Sequence, residues 1–159
     1  MSKERIYLDT SVISAYFDDR WQERQKETVN FFENSPEEYD LGLSNITFME
    51  ILKTGDENRR LEMIALAGQF QSYPITEAAE KLSAEFIAEN LVPPSKVEDA
   101  LHLAIAVERG FDYLASWNFS HMVNAKTQRK LPLISARHGY FKQTLIYSPS
   151  SFTGKGGPS

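Results

Sequence analysis

Three acids stand in surroundings that invite chemistry. Asp9 ends the run Arg5-Ile-Tyr-Leu-Asp9, and two hydroxyl residues, Thr10 and Ser11, follow it. Ile6, Tyr7 and Leu8 read as a buried strand of a parallel sheet, and in open α/β sheets ligands sit beyond the carboxyl ends of the strands. A carboxylate placed there, with hydroxyls behind it, suits a hard metal ion or an activated water. Asp, Ser and Thr also cap helices, and on its own Asp9 reads as a cap. Glu50 is the one acid among Phe48, Met49, Ile51 and Leu52. A helical turn that is apolar all round is a buried one, and a buried carboxylate needs a cation, a metal or a proton. The plainer alternative is a surface Glu with Lys53 at i+3 as a weak partner. Asp99 sits in Ser95-Lys-Val-Glu98-Asp99-Ala-Leu-His102. Ser95 and Glu98 have the spacing of a capping box, which gives Glu98 a structural task and leaves Asp99 without one. An acid in a first helical turn also gains from the helix dipole, so a structural Asp99 stays open.

The elements that must position these acids alternate. Residues 5–9 read as a first strand and Thr10 to Phe17 as a helix. Trp21 to Asn34 reads as a second helix, stopped by Asn34-Ser35-Pro36. Tyr39 to Leu43 is a short strand, and Ser44-Asn45 caps a helix through Leu52 that Gly55 ends. Asp56 opens another helix toward Phe70, Ser72 to Ile75 is a third strand, and Thr76 caps a helix to about Asn90. Ser95 to Arg109 is the clearest helix, ended by Gly110. Phe111 to Trp117 gives a fourth strand and Asn118 to His121 a loop, with residues 124–130 helical, Leu131 to Ile134 a short apolar piece and Thr144 to Tyr147 a last strand. Strands alternating with helices predict an α/β fold with a central parallel sheet and right-handed crossovers.

Bulk properties narrow the class. The 159 residues are most simply one domain, spanning 1–147, with 148–159 (Ser, Pro, Gly, Lys) a loose tail. A hydrophobic fraction of 42% suits a folded core. The chain has no cysteine, which excludes disulfides and thiolate metal sites and points to a reducing cytoplasm. No apolar run reaches the ~18 residues of a membrane span. All 22 acids lie at or before Asp112, against 11 Lys/Arg there, while residues 113–159 hold six Lys/Arg and no acid. Such asymmetry hints at nucleic acid or an acidic partner, with a merely basic surface as the alternative. Lys126, Arg129, Lys130 and Arg137 in that segment are the candidates for backbone-phosphate contacts. His102, His121 and His138 match no zinc spacing. His102 reads as a packed histidine near the site, and His121 as a residue that could touch substrate. Trp117 reads as core or as a platform for an unpaired base.

Taken in order, Leu8-Asp9-Thr10-Ser11, Thr47-Phe48-Met49-Glu50, Glu98-Asp99-Ala100-Leu101-His102-Leu103-Ala104 and Ala115-Ser116-Trp117-Asn118 resemble the PIN domain over about residues 4–147. The likeness is greatest to bacterial toxin-type members of the VapC kind. The resemblance implies a three-layer α/β fold, a central parallel sheet flanked by helices. It implies that Asp9, Glu50 and Asp99 are catalytic and hold Mg²⁺ or Mn²⁺, and that a metal-activated water hydrolyses RNA to 5′-phosphate and 3′-hydroxyl ends. It also implies a small antitoxin as partner, and a homodimer. Thr10, Ser11, Ser116 and Asn118 are expected to steady the acids or a water. The family commonly carries a fourth acid where this chain has Asn118, an amide that offers oxygen without charge. The alternative is therefore a non-catalytic PIN-like module that binds RNA or a protein, with its site weakened at Asn118.

Overall fold

Ile6, Tyr7 and Leu8 are fully buried because both faces of their strand are covered. Tyr7 faces one core, with Leu114 and Ile146, whereas Ile6 and Leu8 face the other, with Leu43 and Ala115, as the two-residue period of a strand requires. The computed structural model describes residues 2–119 and 125–153. Its elements are β1 (Glu4–Leu8), α1 (Thr10–Ala15), α2 (Gln22–Glu38), β2 (Tyr39–Ser44), α3 (Asn45–Ile51), α4 (Glu57–Ala67), β3 (Gln71–Tyr73), α5 (Glu77–Ala88), α6 (Val97–Glu108), β4 (Tyr113–Ala115), α7 (Ala125–Arg137) and β5 (Leu145–Tyr147). The strands form one parallel sheet in the order β3-β2-β1-β4-β5. Residues of α5, α6 and α7 cover one face and residues of α1, α2 and α4 the other, giving three layers. The strand order reverses between β1 and β4, so the crevice beyond their carboxyl ends is the topological switch point where such sheets bind ligands. Among the described residues no helix is long and apolar enough to cross a membrane.

Local chemistry sets the helix starts. Asp56 accepts from the Arg59 N–H (3.0 Å) and Thr76 from the Ala79 N–H (3.1 Å), as N-caps do. Gly110, at φ +69°, makes the left-handed turn that returns the chain from α6 to β4.

Several expectations fail for physical reasons. Pro36 does not stop α2, because in a last turn proline forfeits one hydrogen bond, and the Tyr39 N–H still reaches Ser35 O. Leu131 to Ile134 is not a separate piece but the middle of α7, with Leu131, Ile134 and Ser135 buried on one side. The Ser95–Glu98 capping box does not form: Lys96 is the N-cap of α6, without a side-chain bond, and Glu98 pairs with Lys53 instead (3.3 Å). The start of the expected loose tail is ordered, since Pro149–Phe152 form a 3-10 turn that packs on α2 with Phe152 in the core. Residues 154–159 of that tail, and His121, lie outside the described residues.

Candidate active site

Asp9 leaves the end of β1 at the switch point and caps α1, as its structural reading expects. Its Oδ2 accepts from the Ser11 N–H (3.2 Å), the Ser11 hydroxyl (2.6 Å) and the Ser116 hydroxyl (2.8 Å). Three donors saturate Oδ2, which leaves Oδ1 as the oxygen for anything else. Ser116, just past β4, is held in turn by the Asn118 N–H (2.9 Å), and the Ser11 hydroxyl accepts from the Trp117 N–H (3.0 Å). The ends of β1 and β4 are thus stitched together through the side chains around Asp9. Asn118 itself is exposed.

Glu50 is not buried in an apolar turn, because Met49 and Leu52 are exposed and the Glu50 side chain keeps 27% exposure. Its partner is not Lys53. Glu50 Oε1 accepts from the Thr10 hydroxyl (2.7 Å) and lies 2.6 Å from His102 Nε2. His102 is wholly buried, with Nε2 3.4 Å from Asp9 Oδ1, and its Nδ1 meets the Tyr7 hydroxyl at 2.6 Å. Tyr7 Oη also meets Ser44 Oγ at 2.6 Å. Burial alone pulls the imidazole toward its neutral form, but the Asp9 charge, and the hydrogen bond and charge of Glu50, carry its pKa above the usual value. The imidazole stands between two carboxylates whose charges favour its protonated form.

Asp99, in the first turn of α6, is half-buried, and its carboxyl is pushed up to about 6. Desolvation is the larger cause; the Asp9 and Glu50 charges add to it, and His102 and Lys96 oppose it. The three predicted acids therefore lie within electrostatic reach of one another, with more negative charge than one imidazole balances.

These carboxylates fit a hard divalent cation by donor chemistry and by that excess of charge. The fit is not a preformed cage. Among the described residues no three His, Asp or Glu side chains stand at metal-coordinating spacing. Thr10 and His102 engage Glu50 Oε1, which leaves Oε2 as the oxygen for a shared ion.

The basic segment is less free than its composition implies. Lys130 donates to the Glu89 carbonyl and Arg137 to the Glu89 carboxylate (2.5 Å), which pins α7 to the end of α5. Arg129 reaches back to Ala125 O (3.2 Å) and remains exposed, as does Lys126. Lys126 and Arg129 are the two of the four not engaged with Glu89.

The network around His102 went largely unread in the sequence. Tyr7 reads as core, Ser44 as a cap, and His102 as packing. The usable signal was the polar atom each must satisfy once buried.

Asp99 sets a pH dependence. With a folded pKa of about 6 against the ordinary 3.8, the folded state holds a proton that the unfolded chain has lost. Stability therefore falls as pH rises from about 4 through about 6. Thermal unfolding without metal is expected to show Asp99→Asn gaining on the parent over that interval. A constant difference in melting temperature would contradict the assignment.

Residues 6–118 match the family model described as the PIN domain. Among solved structures, VapC20 of Mycobacterium tuberculosis, described as a sarcin-ricin loop cleaving toxin, aligns with TM-score 0.59 at 16% identity, covering 76% of this chain and 97% of that one. VapBC2 of Rickettsia felis, bound to a promoter DNA fragment, aligns with TM-score 0.60 at 10% identity, covering 91% and 98%. DNA-bound VapBC of Salmonella typhimurium aligns with TM-score 0.53 at 18% identity, covering 94% and 99%. No curated protein sequence matches. The structural likenesses carry the fold, and the family model, which spans well over half of the sequence, carries the membership: the chain belongs to the PIN domain family.

Proposed function

We propose that this chain is a metal-dependent endoribonuclease, the toxin of a toxin–antitoxin pair. The observation that carries the reading is the gathering of Asp9, Glu50 and Asp99 at the switch point, where Asp99 is pushed up by burial and by the other two charges. Asp9 through its Oδ1, Glu50 and Asp99 would hold Mg²⁺ or Mn²⁺. Such an ion supplies Lewis acidity toward the phosphodiester and its attacking water. The protein's own groups do the positioning. Ser11 and Ser116 lock the Asp9 carboxylate, Thr10 and His102 hold Glu50, and the hydrogen bond between Tyr7 and His102 fixes the imidazole. Lys126 and Arg129 are the basic side chains left to meet the RNA backbone.

VapC20, which shares the fold, cleaves the sarcin-ricin loop, and two further structures of this fold are VapBC assemblies on DNA. By that likeness the partners proposed here are an RNA substrate, a small antitoxin and a second copy of the chain in a homodimer, acting in the cytoplasm.

Product end groups test the reaction. RNA incubated with the protein and Mn²⁺ is expected to yield 5′-phosphate and 3′-hydroxyl ends, and no cleavage in EDTA. Fragments ending in 2′,3′-cyclic phosphate would overturn the mechanism, since they require attack by the ribose 2′-hydroxyl. The second reading, a binding module, draws on Asn118 standing where an acid is usual; RNA binding with no cleavage under any divalent ion would favour it.

A further inference from the structure

Beside the acid cluster lies a cavity that the proposed reaction does not use. It has a volume of about 380 Å³ and opens among Arg24, Trp117, Phe119, Tyr147, Ser148 and Ser151. Ser116 also lines it, and the same Ser116 hydroxyl bonds Asp9 Oδ2 at 2.8 Å, so the cavity and the acids share a wall. We propose that this cleft is a nucleobase subsite, which takes the unpaired base of a nucleotide flanking the phosphodiester held at the acids.

Four observations converge on a base. The lining contains a cation and no carboxylate, whereas the larger hollow along α2 is lined by Glu23, Glu27 and Glu33 and would repel a polyanion. Among the described residues the partners of the Arg24 guanidinium are aromatic: it lies over Trp117 (5.1 Å to the centroid) and Trp21 (5.4 Å), with no carboxylate to neutralise it. Single-stranded RNA is bound by stacking bases on aromatic rings and on guanidinium planes, so this stack and Tyr147 are surfaces of the right kind. The Trp117 indole is fixed by its N–H bond to Thr28 Oγ1 (3.0 Å), so the platform is preorganised. Finally, Ser148 and Ser151 contribute hydroxyls, which can donate or accept and so suit the edge of any base. The cleft thus favours a base over none, and discriminates weakly among the four.

The proposal rests on reading the chain as acting on RNA, and the experiment separates the two. The Trp21→Phe variant leaves Trp117 as the sole indole, and its fluorescence is titrated in EDTA with oligoadenylate and oligouridylate hexamers. An abasic hexamer of equal charge is the control. Base-bearing hexamers are expected to quench Trp117 and to bind at least about tenfold more tightly than the abasic one, the size of effect one stacked base gives. Adding Ser151→Leu, which fills the cleft with a group that cannot stack and touches no acid, should bring them to the abasic level while the thermal transition stays put. Equal binding of all three hexamers, no binding, or full binding with the cleft filled would overturn the subsite. Cleavage in Mn²⁺ with a silent Trp117 would leave the nuclease reading standing and remove the subsite. A responsive Trp117 without cleavage would do the reverse.

Discussion

Replacing Asp9 with Asn is expected to abolish Mn²⁺ binding in calorimetry and to lower metal-dependent RNA cleavage by at least about 100-fold, the scale on which losing one group that stabilises developing charge is felt. The fold should survive, because Asn caps helices as well as Asp does and its oxygen can still accept from the Ser11 N–H. What cannot survive is the division of labour between the two carboxylate oxygens. Oδ2 takes three donors while Oδ1 faces His102 Nε2 at 3.4 Å. If the Asn oxygen keeps the Oδ2 role, its NH₂ group points at an imidazole nitrogen and offers nothing to a cation. If it flips, the Ser11 and Ser116 hydroxyls lose their acceptor. Wild-type Mn²⁺ affinity in this variant would remove Asp9 from the ion site.

The second large effect is expected at His102. Changing it to Ala should cost about 3 kcal/mol of stability and lower the melting temperature by about 6–12 °C. The imidazole is completely buried, so its loss leaves a cavity. It also strips Tyr7 Oη of one of its two partners and leaves Asp9 and Glu50 with no positive charge between them. Glu50 keeps partial exposure, and water then takes up some of that loss, which puts the figure at the low end for a broken buried pair. Saturating Mn²⁺ should restore part of the melting temperature, and more in the variant than in the parent, because the ion brings back the missing positive charge. Equal melting temperatures for variant and parent would mean that the imidazole is not the counter-cation of the cluster.

These two residues also mark how far the sequence could be read. Asp9 and Asp99 are legible because each sits at an element boundary that periodicity and turn residues disclose. Glu50 is legible as an acid in need of a partner, although the reason offered for it, burial all round, does not hold. The partner itself was not legible. His102 meets Glu50 across 52 residues and Tyr7 across 95, and no local pattern encodes contacts at that separation. The capping box failed for a related reason: its spacing is local, but Lys53, in the turn after α3, competes for Glu98. The basic segment misled in the same way, since composition counts Lys130 and Arg137 as free while Glu89 engages both. The sheet was read well because buried strands show as apolar runs. The helices run past Pro36 and Pro132 because Pro36 falls in a last turn, where one hydrogen bond is forfeited, and the burial of Leu131, Ile134 and Ser135 offsets the cost of Pro132.

The pairing of β4 beside β1 has a consequence for the birth of the protein. Asp9 is synthesised 107 positions ahead of Ser116, whose hydroxyl fixes its carboxylate. Asp99 and the β4 strand are likewise made well after Asp9. A growing chain therefore carries the first acid long before the Ser116 hydroxyl that fixes it, and the hydrogen-bonded arrangement around Asp9 is complete only once β4 slots in next to β1. A chain truncated before β4 would keep Asp9 as a helix cap but lose the partner across the sheet that fixes its carboxylate.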